Sequence, residues 1–195
     1  MRDLEELERL VIDVESRGHF HEAVQAYRAG AFRAALVETW VSISYDLINK
    51  FRFLAEIGEK GAKGWEEDLK NAIMSRNVKK LQENGLLQKG VEWDLLQRHE
   101  FDSLKRLYED RNLCAHPAFL MEGEVFSPSA ETVRYYLAEA VDNCLSLPPI
   151  AGKTRESSFR KHLESSAWPK KESEVIVRID EHFSRARSCV KKRMA

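Results

Sequence analysis

The chain has 195 residues, of which 43% are hydrophobic and 32% are charged, with 9 glycines, 5 prolines and a formal net charge of -1. This length is sufficient for one main domain with a buried core, and so little glycine and proline is typical of a helical protein. A net charge near zero excludes the general basic field with which duplex-binding proteins attract nucleic acid.

The apolar spacing of the first 65 residues predicts a series of helices. A first amphipathic helix is expected to end near Gly18, and a short second one, HFHEAVQAYRAG, to close at Gly30, a natural C-cap. Residues 31–58 are predicted to form the long central helix. Its apolar stripe would consist of Ala34, Val37, Val41, Ser44, Ile48 and Phe51. The segment GEKGAKGW contains three glycines and is predicted to be a loop.

The next segments predict shorter helices at residues 66–74 and 78–83, before a turn at Gly85. A second long helix is expected over residues 91–116, because Pro117 disfavours helical geometry at the residue before it. The stretch FSPSAETVRYYLAEAVDNCLSLPP predicts a further helix, capped by Ser127 or by Ser129. We therefore expect an all-α domain over residues 1–150.

Residues 151–195 are predicted to be a basic helical extension. From Gly152 onward, Lys and Arg outnumber Asp and Glu about two to one. A solvated helix face is the interpretation we favour, and contact with a polyanion is the alternative. The last predicted helix stops in KKRMA without a cap, so we expect either a longer protein or a partner protein or domain on this C-terminal side.

The sequence lacks the usual patterns of several kinds of functional site and of several cellular locations. The three cysteines are widely spaced without a CxxC, the N-terminus lacks the apolar core of a signal peptide, and no stretch reaches transmembrane length. We expect a cytoplasmic protein with no membrane contact.

His19 and His21 are two residues apart and cannot share a helical face, and there is no HExxH or Cys/His grouping. The sequence predicts no metal and no cofactor.

Two further groups of residues allow more than one interpretation. On the central helix Glu38, Ser42, Tyr45 and Asn49 form a polar line. We interpret this line as a solvent-facing surface, and the alternative is a set of polar side chains that reaches the second long helix. The four tryptophans, Trp40, Trp65, Trp93 and Trp168, are expected to be packing residues and not platforms for nucleic-acid bases.

The candidate chemistry lies in the stretch YEDRNLCAHP, which contains Arg111 and His116. A histidine can move protons at the 2'-hydroxyl or the 5'-oxygen of RNA, and a permanently charged arginine can hold the phosphorane oxygens. The spacing alone is weak evidence for a catalytic pair, because Arg155 and His162 have a similar spacing in a segment with no other distinguishing feature.

The surroundings of Arg111 favour this pair over the second one. Asn112 supplies an amide beside the arginine, and Glu109 and Asp110 can orient or tune the pair. On a straight helix a step of five residues turns about 140°, so Arg111 and His116 would point apart. A helix break at Pro117 allows His116 to turn back, and a homodimer could instead pair the two residues across chains.

The stretch DRNLCAHP resembles the Arg-Asn-x-x-x-His motif of HEPN domains, which are small all-α modules of toxins, CRISPR effectors and other antiviral proteins. AYRAGAFRAALVETWVSISYDLINKF is similar to the long HEPN helix beside the motif helix, and FSPSAETVRYYLAEAV occupies the place of the helix after it. The resemblance covers roughly residues 20–147. It implies a bundle with two long antiparallel core helices.

The resemblance also implies a function. HEPN domains of this kind are typically homodimers whose motif helices meet at a shared, metal-independent ribonuclease site. Arg111 would bind the scissile phosphate, His116 would act as general acid or base, and Asn112 would position either residue. Some branches carry a tyrosine two residues after the histidine that an antitoxin modifies, but this chain has Ala118 there.

Three interpretations of this chain therefore remain open. The first is an endoribonuclease that cuts single-stranded or loop RNA, such as tRNA, in bacterial antiviral defence or a toxin role. The second is a non-catalytic HEPN-like dimerisation or docking module of a larger defence protein. The third is a plain helical scaffold in which Arg111 stabilises a helix C-terminus, where a cation is favourable.

Overall fold

The computed structural model describes residues 2–75, 85–115 and 126–149, with a few isolated residues between 160 and 179. The regular elements of these three ranges are all helical, which confirms the predicted all-α class. They are α1 (Leu4–Leu10), α2 (Val14–Arg28), α3 (Phe32–Glu56), α4 (Lys60–Met74), α5 (Gly85–Glu92), α6 (Arg98–Ala115) and α7 (Ala130–Ala140), which continues as a π-helical segment (Val141–Leu145). None of the described helices is both long enough and apolar enough to cross a membrane.

Helix α3 is the centre of the bundle, and α2, α4, α6 and α7 all pack against it. Two contacts fix its direction relative to α6: Arg33 reaches Cys114, and Trp40 stacks on Tyr108 with ring centroids 4.7 Å apart. The first residues of α3 thus lie beside the last residues of α6, so the two longest helices of the described chain are antiparallel.

The buried face of α3 is rotated from the predicted apolar stripe. Its fully buried apolar residues are Ala35, Leu36, Ile43, Leu47, Phe51 and Leu54. Of the predicted stripe only Phe51 is buried, whereas Ala34 is exposed and Val37 and Ile48 pack only partly against the core. Helix α3 buries residues over a wide arc because several helices surround it, so a single stripe underestimates its core face.

Two predicted helix ends are confirmed because short-range chemistry determines them. Gly30 has φ +74° and follows the last turn of α2, where its N–H donates to the carbonyl of Tyr27 at 3.0 Å. Ser129, one of the two predicted caps, is the N-cap of α7, and its Oγ accepts from the N–H of Thr132 at 3.2 Å.

The predicted end of the first helix near Gly18 is wrong. The break comes earlier, between α1 and α2, where Asp13 caps α2 by accepting from the N–H of Ser16 at 2.8 Å. Arg17 then donates to the carbonyl of Val11 at 2.6 Å, which holds the connection closed. Gly18 lies inside α2 with open space around its Cα, so no close contact there forces the helix to end.

The segment GEKGAKGW is mostly helical, contrary to the prediction of a loop. Helix α4 begins at Lys60, so Gly61 and Gly64 lie within it. A Cβ at Gly61 would lie 3.1 Å from Nε1 of Trp93, so this glycine allows α4 to approach the indole ring closely. The helix predicted at residues 78–83 lies outside the described residues.

The second long helix begins later than predicted, because residues 91–97 contain a break between α5 and α6. Asp94 has φ 59°, and the N–H groups of Leu95 and Leu96 both donate to the carbonyl of Gly90, at 2.8 and 2.9 Å. Trp93 lies in this break and packs edge-on against Phe51 with centroids 4.7 Å apart. Trp40, Trp65 and Trp93 are all buried, which confirms their predicted packing role.

Candidate functional site

Four of the five residues predicted to form the site, Glu109, Asp110, Arg111 and Asn112, lie on the last two turns of α6. The core face of this helix carries Phe101, Leu104, Leu107, Tyr108 and Cys114, all buried. Arg111 continues this face, since it follows Leu107 by four residues and precedes Cys114 by three. Its guanidinium is consequently half-buried at the edge of the core.

The guanidinium of Arg111 is oriented, and no ion pair among the described residues balances its charge. Its Nη1 donates to Oδ1 of Asn112 at 2.9 Å, as expected if Asn112 positions the arginine. Its Nε is buried, and within the described part of the chain this atom has no hydrogen-bond partner and Arg111 has no ion pair with a carboxylate. Buried donors are rarely left unpaired, so this group has a free capacity to bind an anion or water.

Asp110 and Glu109 make their contacts away from Arg111. Asp110 accepts a hydrogen bond from the hydroxyl of Tyr136 on α7 at 2.7 Å. Burial of this hydroxyl, together with the nearby carboxylate, raises the pKa of Tyr136 well above its usual range. Glu109 is exposed and lies 3.6 Å from Nζ of Lys105, one turn earlier. The contacts of Asp110 thus join α6 to α7, and Asn112 is the predicted supporting residue that touches the arginine.

His116 lies outside the described residues, as do Pro117 and Ala118. The last described residue of α6 is Ala115, so the predicted helix end at His116 also lies outside the described residues. The proposed turn of His116 toward Arg111 therefore stays a prediction.

Arg33 is a residue of this region that the sequence analysis missed. Its Nη2 donates to the carbonyl oxygen of Cys114 at 2.5 Å. Carbonyls of the last helical turn lack partners within the helix, and the negative end of the helix dipole favours a cation there. Arg33 precedes Cys114 by 81 residues, so no short sequence pattern could reveal the contact.

An open cleft of about 610 Å³ lies beside this contact. It is lined by the connection from α2 to α3, the first turns of α3 and the end of α6, with Arg33, Val37, Glu38, Cys114 and Ser127 among its residues. Burial raises the pKa of the Cys114 thiol, so this cysteine is a packing residue and not a reactive thiolate at neutral pH. The polar groups of the cleft are therefore mainly Arg33, Glu38 and Ser127.

The polar line on α3 runs beside α2, and the predicted solvent-facing surface holds for Tyr45, which is exposed, but not for Ser42. Ser42 is fully buried and donates to the carbonyl of Ser16 at 2.8 Å. Asn49 donates to Oδ2 of Asp13 at 3.2 Å, and Tyr45 stacks on the ring of His19. The predicted solvent face is thus wrong for Ser42, which lies in the interface between α2 and α3.

Comparison of the chain with known protein families, with curated proteins and with solved structures finds no match.

Proposed function

We propose that this protein is a metal-independent endoribonuclease of HEPN type that acts as a homodimer through its motif helices. Its substrate would be single-stranded or loop RNA, such as tRNA, and its role bacterial antiviral defence or toxicity. The observation that carries the proposal is Arg111, because its guanidinium is held by Asn112 while its Nε stays unpaired and no described carboxylate neutralises it.

The proposed reaction uses the 2'-hydroxyl of the RNA as nucleophile. A general base removes the proton of this hydroxyl, its oxygen bonds to the adjacent phosphorus, and the bond from phosphorus to the 5'-oxygen breaks. The leaving oxygen takes a proton, so the products are a 2',3'-cyclic phosphate and a 5'-hydroxyl. Arg111 would bind the non-bridging oxygens, and His116 would supply one of the two proton transfers.

Arginine is suited to this role because its planar fork can donate two parallel hydrogen bonds to phosphate oxygens. Asn112 fixes one nitrogen of that fork, so less conformational freedom is lost when RNA binds. Arg33 would hold the end of α6 in place through the Cys114 carbonyl, two residues before His116. The hydrogen bonds of Asn112 to Arg111 and of Arg33 to Cys114 therefore favour a preorganised site, in contrast to a surface arginine that samples many rotamers.

The test compares the wild type with Arg111→Ala and His116→Ala on total RNA in the presence of a chelator. We expect cleavage by the wild type and a loss of about 100-fold or more in each variant, the range for removal of an electrostatic or acid–base group. Arg155→Ala and His162→Ala are matched controls, because this second pair has similar spacing. Equal cleavage by all variants would exclude the site.

A second candidate function is a non-catalytic docking module. The net charge of -1 and the two acidic residues directly before Arg111 favour it, because carboxylates near a phosphate-binding group repel RNA. In that case neither the wild type nor any of the variants would cleave RNA, while Arg111→Ala would alter the oligomeric state or the binding of a partner protein. Light scattering of wild type and variant would detect the change in oligomeric state.

A further inference from the structure

Three potential metal ligands meet on the side of the α2–α3 pair that carries the polar line. His19 and Glu22 lie one turn apart on α2, and Glu38 extends toward them from α3. Nδ1 of His19 is 3.8 Å from Oε2 of Glu22 and 3.8 Å from Oε2 of Glu38. All three ligand atoms lie within 4.8 Å of one another. The cluster depends on the fold, because Glu38 is distant in sequence from the other two residues.

Hydrogen bonds within the described residues do not account for this arrangement. A separation of 3.8 Å is too long for a hydrogen bond between the imidazole nitrogen and either carboxylate. The Nδ1 atom is nevertheless buried and finds no hydrogen-bond partner among the residues that the structure describes. Buried ring nitrogens are normally paired, and a bound ion is one of the explanations for an exception.

The spacing fits an ion placed between the three atoms. A point equidistant from three atoms with these separations lies at most about 2.5 Å from each of them. Zinc binds imidazole nitrogen and carboxylate oxygen at roughly 2.0 to 2.2 Å, so the side chains would have to close by a few tenths of an ångström. Glu22 can make this movement easily, because 65% of its side chain is exposed.

The imidazole of His19 is held in position by its neighbours. Its ring packs on Tyr45 with centroids 4.5 Å apart, and only 29% of its side chain is exposed. Tyr45 belongs to α3, as does Glu38, so one helix orients the ring and also supplies a carboxylate. The nitrogen ligand is therefore partly preorganised, which lowers the entropy lost when an ion binds.

We propose that His19, Glu22 and Glu38 form a binding site for a divalent transition metal ion of the zinc class. An imidazole favours zinc, cobalt or nickel over magnesium and calcium, and two carboxylates balance the charge of the ion. Three protein ligands leave at least one position for water, as in open zinc sites. The ion would join α2 to α3 at the edge of the cleft, since Glu38 also lines that cleft.

This site is separate from the proposed ribonuclease chemistry and does not depend on it. None of its ligands lies on α6, and the RNA-cleavage reaction proposed for Arg111 and His116 proceeds in chelator. A metal ion that binds only the folded chain raises its thermal stability, and the increase grows with the logarithm of the ion concentration relative to the dissociation constant. Binding and stability are therefore readouts that do not require RNA cleavage.

The test is a titration of the full chain with Zn²⁺ against a chromophoric chelator, together with His19→Ala and Glu38→Gln. We expect one ion to bind the wild type, and either substitution to weaken binding by at least about tenfold. His21→Ala is the matched control, because His21 lies on the same helix and contacts only one carboxylate, Glu8 at 2.9 Å. This variant should bind Zn²⁺ as the wild type does.

Absence of Zn²⁺ binding by the wild type would overturn the proposal, and so would an equal effect of His21→Ala and His19→Ala. Cobalt substitution adds an independent readout, because thiolate ligands give an intense near-ultraviolet charge-transfer band. We expect no such band, and its presence would assign the ion to cysteines instead. Glu38→Gln preserves side-chain shape, so this variant keeps the test valid if His19→Ala fails to fold.

Discussion

At the scale of single residues, Arg33 stands at the beginning of α3, where the dipole of its own helix disfavours a cation. Its guanidinium extends instead to the carbonyl end of α6 and donates to Cys114. The dipole at that end is negative, so the same charge becomes favourable there. Arg33 thereby links the first turn of α3 to the end of α6.

We expect Arg33→Ala to lower the free energy of unfolding by about 1.5 kcal/mol, the lower limit for a hydrogen bond to a charged group, because Arg33 is partly exposed. Urea denaturation measures this difference. Arg52→Ala is the control, since Arg52 is exposed and, among the described residues, donates a hydrogen bond only to Asn49 within the same helix. A loss for Arg33→Ala no larger than that for Arg52→Ala would contradict the assigned role.

Tyr136 provides a prediction about pH. Its hydroxyl donates to Asp110, and burial raises its pKa above the usual value near 10. A raised pKa in the folded state means that the stabilisation is fully present below about pH 10 and is lost as the pH rises further. The stability difference between wild type and Tyr136→Phe should therefore shrink between pH 8 and pH 10.5.

Paired urea denaturation curves at the two pH values measure that change. The other tyrosines are common to both proteins, so their titration cancels in the difference. A stability difference that stays constant across this range would show that the hydroxyl of Tyr136 is not held by Asp110.

At the scale of helices, a buried polar group joins α3 to the π-helical segment after α7. Asp46 and Lys50 form an ion pair one turn apart on α3, and both are almost fully buried. Nζ of Lys50 also donates to the carbonyl of Cys144 at 2.8 Å, and the Cys144 thiol donates to Asp46 at 3.2 Å. The lysine thus satisfies a carbonyl in the irregular π-helical turn.

Removal of one charge of the Asp46–Lys50 ion pair should lower the free energy of unfolding more than removal of both charges. Burial raises the pKa of Asp46, although Lys50 opposes the effect, so an isolated carboxylate there would be strongly unfavourable. We expect Lys50→Met to lower the free energy of unfolding by about 3–5 kcal/mol. Addition of Asp46→Asn should restore part of that loss in a double-mutant cycle, and additive losses would contradict this account.

Helix ends show which parts of the fold the sequence could predict. Gly30 and Ser129 were predicted correctly, because a positive φ and an N-cap hydrogen bond depend on residues a few positions apart. The break at Asp94 was missed, since it lies where Trp93 packs on Phe51, a contact between distant segments. Gly61 was interpreted as a loop residue for the same reason.

At the scale of the whole molecule, the residues of the proposed sites also differ in whether their contacts join neighbouring or distant positions of the sequence. Arg111 and Asn112 are adjacent, and their predicted contact is present. Arg33 and Cys114, or His19 and Glu38, come together only because α2, α3 and α6 pack side by side. A single sequence contains no pattern that joins such distant positions, so these contacts required the fold.

The bundle also separates its two proposed sites. Arg111 and Asn112 of the proposed ribonuclease site lie on α6, whereas the proposed metal ligands lie on α2 and α3. We therefore expect His19→Ala to keep the RNA cleavage rate of the wild type within about twofold in chelator, because this substitution removes no group that contacts RNA. A loss as large as that of Arg111→Ala would show that the two regions form one site.

We propose that the chain cleaves RNA through Arg111 without a metal ion. The most direct test of this proposal is the single-turnover cleavage rate of a single-stranded RNA in chelator, with identification of the product ends, for wild type and Arg111→Ala. We predict 2',3'-cyclic phosphate ends and a rate at least about 100-fold lower in the variant. Equal rates, or cleavage that requires a divalent ion, would contradict it.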